Sequence, residues 1–215
     1  LPTIPMDPVT ALVIALGAFL LGSIPTGYLV ARAKGVDIRR HGSGNIGATN
    51  VFRTIGKPLG VFVFAMDAIK GFVAVWFSMR FATGAGEAAT WAGIVSAVAV
   101  IVGHNYTPWL GFRGGKGIAT SAGVLLALMP WAIFCITVVW FVVFWLCRYV
   151  SVASISASAA LPISVAGLWA TGVSGNAPLL GFALLISALA IWRHRSNIER
   201  LRQGTEPRIA RKPTA

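Results

Sequence analysis

Three polar stretches carry most of the residues that could handle an anion. The first is Ser43-Gly44-Asn45-Ile46-Gly47-Ala48-Thr49-Asn50-Val51-Phe52-Arg53. Its glycines let successive backbone N–H groups converge, its Ser, Thr and Asn side chains add donors, and Arg53 can grip phosphate oxygens through two N–H groups. Alone, such a loop reads better as a plain turn. The second runs from Gly103-His104-Asn105 to Gly114-Gly115-Lys116-Gly117 and leads into an apolar run. Gly-Gly-Lys-Gly before a helix start aims backbone donors, the helix dipole and an ammonium at one point. The third is Arg193-His194-Arg195-Ser196-Asn197 through Glu206. If the last helix runs on, His194 and Asn197 share a face at i,i+3, as do Arg193 and Asn197 at i,i+4. Alone, this stretch reads as a basic tail resting on anionic lipid.

The elements that must position these stretches are transmembrane helices. The chain is 56% hydrophobic and 11% charged, against roughly 25% charged in an ordinary soluble domain. Apolar runs are spread from end to end, so a signal peptide does not account for them. Spans are expected at about 8–31, 58–79, 90–103, 152–170 and 179–192. Residues 118–147 are too long for one span and short for two, so they are expected to turn at Met129-Pro130, leaving a first piece of about twelve residues. At ~1.5 Å per residue that piece reaches only ~18 Å of a ~30 Å hydrocarbon core, so it must be buried against protein or start deeper in the membrane. Gly22-Ser23-Ile24-Pro25-Thr26-Gly27 should allow close packing and a kink. Asp67 and Lys70, one turn apart within a span, read as a structural ion pair.

The expected fold is therefore an all-α integral membrane protein with seven transmembrane helices. It forms one membrane-embedded domain over residues 1–215, with the N-terminus outside and the C-terminus cytoplasmic. Of the 18 Lys and Arg, all but Lys70 and Arg80 fall in segments this topology places inside, as the positive-inside rule requires. The linker at 82–90 holds Glu87 and no Lys or Arg, and belongs outside.

Several function classes are set aside. The net charge of +12 reflects topology, and no basic soluble domain is present to bind nucleic acid. The spacing Gly-x4-Gly-Lys-Ser/Thr of a nucleotide P-loop is absent. Asp7, Asp37 and Asp67 are scattered, which argues against a metal-dependent head-group transferase. Cys135 and Cys147 are twelve residues apart on an apolar run, about 18 Å along a helix, too far for a disulfide. A transporter for a phosphorylated metabolite is the main rival, but it should carry its charges near mid-membrane. A non-catalytic scaffold leaves the three anion-type stretches unexplained.

Taken together, Ser43 to Asn50 with Arg53, Gly103-His104 to Gly114-Gly115-Lys116-Gly117, and His194-Arg195-x-Asn197-Ile198-x-Arg200-Leu201 with Gly204 and Glu206 resemble the bacterial acyl-phosphate:glycerol-3-phosphate acyltransferase family, the PlsY type. The resemblance implies a seven-span enzyme of the bacterial inner membrane, surrounded by membrane lipid, with its site at the cytoplasmic face. It implies transfer of a fatty acyl group from acyl phosphate to the 1-hydroxyl of glycerol 3-phosphate, giving lysophosphatidic acid and inorganic phosphate, the first step of bacterial phospholipid synthesis. By motif position, Ser43, Gly44, Asn45, Gly47, Ala48, Thr49 and Asn50 would hold the acyl-phosphate head. Ser43, Arg53, Lys116, His194 and Asn197 would surround glycerol 3-phosphate and the reacting centre, while Glu206, Gly114, Gly115 and Gly117 would be structural. Acyl phosphate is already activated, so no metal, cofactor or covalent intermediate is expected. The His-x4-Asp dyad of other glycerol-phosphate acyltransferases is missing, because His41, His104 and His194 are followed five places on by Ile46, Trp109 and Glu199. His194 is then either an orienting hydrogen-bond partner or a weak general base.

Overall fold

The computed structural model describes residues 6–82 and 86–209. Part of the expected outer linker, residues 83–85, lies outside the described residues, as do residues 1–5 and the end of the basic tail with Arg211 and Lys212. The described residues contain α-helices and two short 3-10 turns. They fall into two compact units, divided between Met129 and Pro130.

The first unit opens with α1 (Pro8–Ser23), whose N-terminus is closed by Asp7: its Oδ1 accepts from Val9 N at 3.0 Å and Thr10 N at 2.9 Å. Pro25 has no N–H to continue the ladder, so the helix breaks and restarts as α2 (Thr26–Ala33). This is the kink the glycine-rich sequence predicts. A 3-10 turn (Ile38–Arg40) and the short α3 (Ala48–Thr54) follow, then the long α4 (Lys57–Phe81) and α5 (Glu87–Asn105). The unit ends with α6 (Ile118–Leu128).

Glycine sets how closely these helices approach. A Cβ on Gly22 of α1 would lie 2.1 Å from the Val100 carbonyl oxygen of α5, and one on Gly123 of α6 would lie 1.8 Å from the Ala68 oxygen of α4. Backbones therefore touch where a side chain would hold them apart, the usual packing device when lipid supplies no hydrophobic drive between helices. The distribution of polarity fits the same solvent. Val9, Leu12, Leu16, Phe62 and Phe77 are exposed, whereas Asp67, Lys70, Ser96, His104, Asn105 and Thr120 are buried. Apolar outside and polar inside is the arrangement expected of helices bathed in hydrocarbon.

The second unit contains α7 (Pro130–Cys147), α8 (Val150–Ala170), α9 (Ala177–Arg193) and α10 (Arg195–Arg202). Trp140 Nε1 donates to Ser154 Oγ at 3.2 Å between α7 and α8, and Asn176 caps α9 by accepting from Leu179 N at 3.0 Å. The turn expected at Met129-Pro130 falls where the sequence places it, between α6 and α7.

Among the described residues, five segments are long and apolar enough to cross a membrane: α1 with α2, α4, α5 with the turn after it, α7 and α8. The bent pair α9 and α10 makes a sixth if taken as one span. The chain is thus a multi-pass, all-α integral membrane protein. Helix α6, at 11 residues, reaches only ~16 Å of a ~30 Å core, and a count of seven includes it.

The structure changes two expectations. The first anion-type stretch is not a loop throughout, since Ala48, Thr49, Asn50 and Arg53 lie on α3. The last helix does not run straight past Arg193 but bends by 50° before Arg195. The cause is local. His194 Nδ1 lies 2.8 Å from the Ala190 carbonyl oxygen, which also accepts from His194 N at 3.2 Å, while His194 N turns to Ile191 O at 3.0 Å. A side chain inserted into the i to i−4 ladder is a recognised source of a kink.

Candidate active site

In the first unit, the stretch 37–54 is tied from within by two side chains. Asp37 accepts from Arg39 N at 3.2 Å and Arg39 Nε at 2.9 Å, opening the 3-10 turn. Hydrogen bonding from the Arg39 guanidinium holds the Asp37 carboxyl well below the usual carboxylate range and raises Arg39 in return. Asn50 does more. It is 4% exposed, its Nδ2 donates to His41 O at 3.0 Å and Asn45 O at 2.8 Å, and its Oδ1 accepts from Ser43 N at 3.1 Å. The loop from His41 to Asn50 is therefore closed around one buried carboxamide, and the role of Asn50 in the structure is to shape the loop. Asn45 adds a tight turn by accepting from Gly47 N at 2.8 Å. Ser43 stands exposed on this loop, and Arg53 sits half-buried on the second turn of α3. Beneath them Ile38, Ile46 and Val51 pack with Ala31 and Val63 in a buried apolar cluster.

The stretch 104–117 rests on the same part of the unit. Thr107 Oγ1 donates to Ser23 O at 2.6 Å and Trp109 Nε1 donates to Ser23 Oγ at 2.9 Å, seating the stretch on the break between α1 and α2. Leu110 packs against the apolar cluster under the Asn50 loop. The chain then doubles back, Gly114 N donating to Asn105 O at 3.1 Å and Gly115 N to His104 O at 3.0 Å. There is no room for side chains there: a Cβ on Gly114 would be 2.0 Å from His104 O, and one on Gly115 would be 2.1 Å from His104 Nε2. Gly117, at φ +83°, turns the chain into α6 in a left-handed conformation that a β-carbon disfavours. Lys116 sits half-buried between these two glycines.

The second unit gathers the last stretch around Glu206. This carboxylate is 6% exposed; its Oε1 accepts from Asn197 Nδ2 and its Oε2 from Arg200 Nε, both at 2.7 Å. Burial alone raises its pKa, but the neighbouring Ser151, Asn197 and Arg200 outweigh that and leave it lowered. The tail is also pinned where Ile209 N donates to Arg148 O at 3.1 Å. His194 and Asn197 are both buried, at 3% and 6% exposure. Because a carbonyl only accepts, the contact with Ala190 O puts the proton of neutral His194 on Nδ1 and the lone pair on Nε2.

A family model described as glycerol-3-phosphate acyltransferase matches residues 12–204. The chain belongs to this family. The glycerol-3-phosphate acyltransferase of Desulforamulus reducens is 44% identical over 207 residues, covering 96% of this chain and 98% of that one. The one from Geobacter metallireducens is 47% identical over 193 residues, 90% and 94% of the two chains. Among solved structures, the fold is similar to PlsY, an integral membrane glycerol 3-phosphate acyltransferase, in its glycerol 3-phosphate form (TM-score 0.82, 40% identity, 93% and 96% coverage) and its lysophosphatidic acid form (TM-score 0.79, 40% identity, 93% and 95% coverage).

Within this acyltransferase, the residues singled out by sequence form one group per unit. Ser43, Gly44, Asn45, Gly47, Ala48, Thr49, Asn50, Arg53, Gly114, Gly115, Lys116 and Gly117 lie on two stretches packed about the α1–α2 break, and His194, Asn197 and Glu206 lie together in the second unit. Sequence reasoning missed two contributors. His104 is the surface on which Gly115 lies, and Trp109 anchors its loop to Ser23. Only the spacing of His104 eleven residues before Gly115 hints at the first, and it has no meaning until the chain is known to fold back.

An apolar groove of about 240 Å³ between α1 and α4 is lined by Val13, Gly17, Leu21, Val73 and Phe77. A second of about 160 Å³ shares Leu21 and Val73 and reaches Ile24 and Lys70.

Proposed function

We propose that this chain transfers a fatty acyl group from acyl phosphate to the 1-hydroxyl of glycerol 3-phosphate, releasing lysophosphatidic acid and inorganic phosphate. The observation that carries this reading is the likeness over nearly the whole chain to an enzyme solved with the acceptor and with the product of that reaction.

Chemistry supports the same assignment. Both substrates bear phosphate, so their approach opposes several negative charges, and a site rich in Arg, Lys and backbone donors offsets that repulsion. The loop around Asn50 receives the acyl-phosphate head through Ser43, Gly44, Asn45, Gly47, Ala48 and Thr49, with Asn50 shaping the loop as well as belonging to it. Ser43, Arg53, Lys116, His194 and Asn197 hold glycerol 3-phosphate and surround the reacting carbon. The acceptor oxygen attacks the acyl carbonyl, the bond from carbonyl carbon to phosphate oxygen breaks, and the hydroxyl proton passes to phosphate. Asn45 or loop N–H groups support the oxyanion. His194 acts as an orienting partner, its ring held by Ala190 O so that Nε2 is directed. Glu206 is structural and keeps the Asn197 amide in one orientation. Neither metal nor cofactor is needed, because phosphate is a good leaving group. The groove beside α1 and α4 offers an apolar course for the acyl chain.

The same reading makes residues 1–215 one acyltransferase domain of the bacterial inner membrane. Counting α6, the chain crosses seven times, with the N-terminus outside and the C-terminus and the reaction at the cytoplasmic face. The sidedness of Lys and Arg supports this.

The test is purified protein with acyl phosphate and glycerol 3-phosphate. Phosphate release that requires both substrates is expected. Uptake of glycerol 3-phosphate into proteoliposomes without release would replace the enzyme by a transporter.

A further inference from the structure

Beneath the loop that carries Lys116 lies a buried ion cluster that the reaction scheme leaves unused. Asp67, Lys70 and His104 are 2%, 6% and 6% exposed. Lys70 Nζ lies 2.7 Å from Asp67 Oδ1 and donates to Ile24 O at 2.9 Å, so the ammonium caps a carbonyl at the break between α1 and α2. Asp67 Oδ1 is also 3.7 Å from His104 Nδ1. That is too long for a direct hydrogen bond, and it sets this edge of the ring beside the carboxylate on α4. The opposite edge, Nε2, lies where a Cβ of Gly115 would be, 2.1 Å from that position. The backbone at both ends of the contact is fixed as well, by Gly115 N donating to His104 O at 3.0 Å.

We propose that His104 and Asp67 are positioning residues for the reaction: Asp67, balanced by Lys70, orients the His104 ring, and the ring fixes the path of Gly115 and so the place of the adjoining Lys116. The inference rests on the reading of Lys116 as a ligand of glycerol 3-phosphate. A buried pair with no further role would be replaceable by apolar residues without loss. Here removing it frees a ring edge that bears on the loop. A flexible lysine after two glycines loses orientation easily, because neither glycine restricts the backbone, and a surface against one of them is what restores it.

The experiment is a set of KM and kcat measurements on purified, monodisperse protein for both substrates. Lys116→Ala should raise the KM for glycerol 3-phosphate at least tenfold and leave that for acyl phosphate within twofold. His104→Ala should show the same split, His104→Gln should recover part of it, and the double variant His104→Ala with Lys116→Ala should be no worse than Lys116→Ala alone, since both act through one group. The charge-neutral pair Asp67→Asn with Lys70→Met avoids a lone buried charge and should raise the glycerol 3-phosphate KM several-fold, measured well below the melting temperature because Lys70→Met also uncaps Ile24 O. It also keeps the test open if His104→Ala does not fold. Equal loss toward both substrates, effects of His104 and Lys116 that multiply independently, or a normal KM in the Asp67/Lys70 pair would each overturn the positioning role. An unchanged KM in Lys116→Ala would instead overturn the assignment of Lys116 itself.

Discussion

The two polar regions of this acyltransferase are held by different means. In the first unit, the Lys116 stretch is fixed by backbone packed against backbone, with glycines at 114 and 115 leaving no space for a side chain and a buried ion cluster behind them. In the second unit, the tail with His194 and Asn197 is gathered by one carboxylate, Glu206, accepting from Asn197 and Arg200. Steric packing does not change with pH or charge. A carboxylate network does both. The Lys116 stretch is therefore set mainly by shape, and Asn197 by a charged network.

The sharpest way to break this contrast is to add one carbon. Gly115→Ala puts a methyl 2.1 Å from His104 Nε2. The loop must shift, and a displacement of ~1 Å at a reacting site costs on the order of 100-fold in rate; turnover assays should show that loss at every pH. Asn50→Ala removes the carboxamide that joins three backbone groups of the neighbouring loop. It should destabilise the protein by about 1–3 kcal/mol, measured by thermal unfolding, with a larger proportional loss of activity than of stability.

Glu206→Gln sharpens the other side. It removes a charge-assisted bond with Arg200, worth about 1.5–3 kcal/mol, and should lower the melting temperature. Because the folded carboxyl has a lowered pKa, its stabilisation is fully present above the ordinary glutamate value and is lost as pH falls through the lowered one. The melting temperature of the native protein should fall with acidification in that window, and the Gln variant should fall less. Asp37→Asn sits at the small end. Its partner Arg39 is exposed on the surface, where ion pairs contribute little, so no measurable change in melting temperature or activity is expected.

Much of this was legible in the residues. The class of protein follows from apolar runs long enough to span a bilayer, since burying a backbone in hydrocarbon leaves the helix as the answer for such segments. The breaks at Pro25 and Pro130 are covalent properties of proline, and Asp67 with Lys70 at i,i+3 is a local pair that any helix would bring together. The bend at His194 was not legible, because it depends on a side chain competing for the carbonyl of Ala190 within an otherwise ordinary helical sequence.

The amino-acid order by itself determined the membrane-spanning helices, the breaks between them and the three anion-type stretches, all of which depend on neighbours within a turn or two. That His104 lies against Gly115, that Asn50 closes the first loop, and that Ser23 anchors Thr107 and Trp109 emerges in the folded chain alone. The Ser23 contacts join residues far apart in sequence, and the others need a chain that folds back on itself; their distances depend on how closely the backbones pack, a quantity no single segment contains.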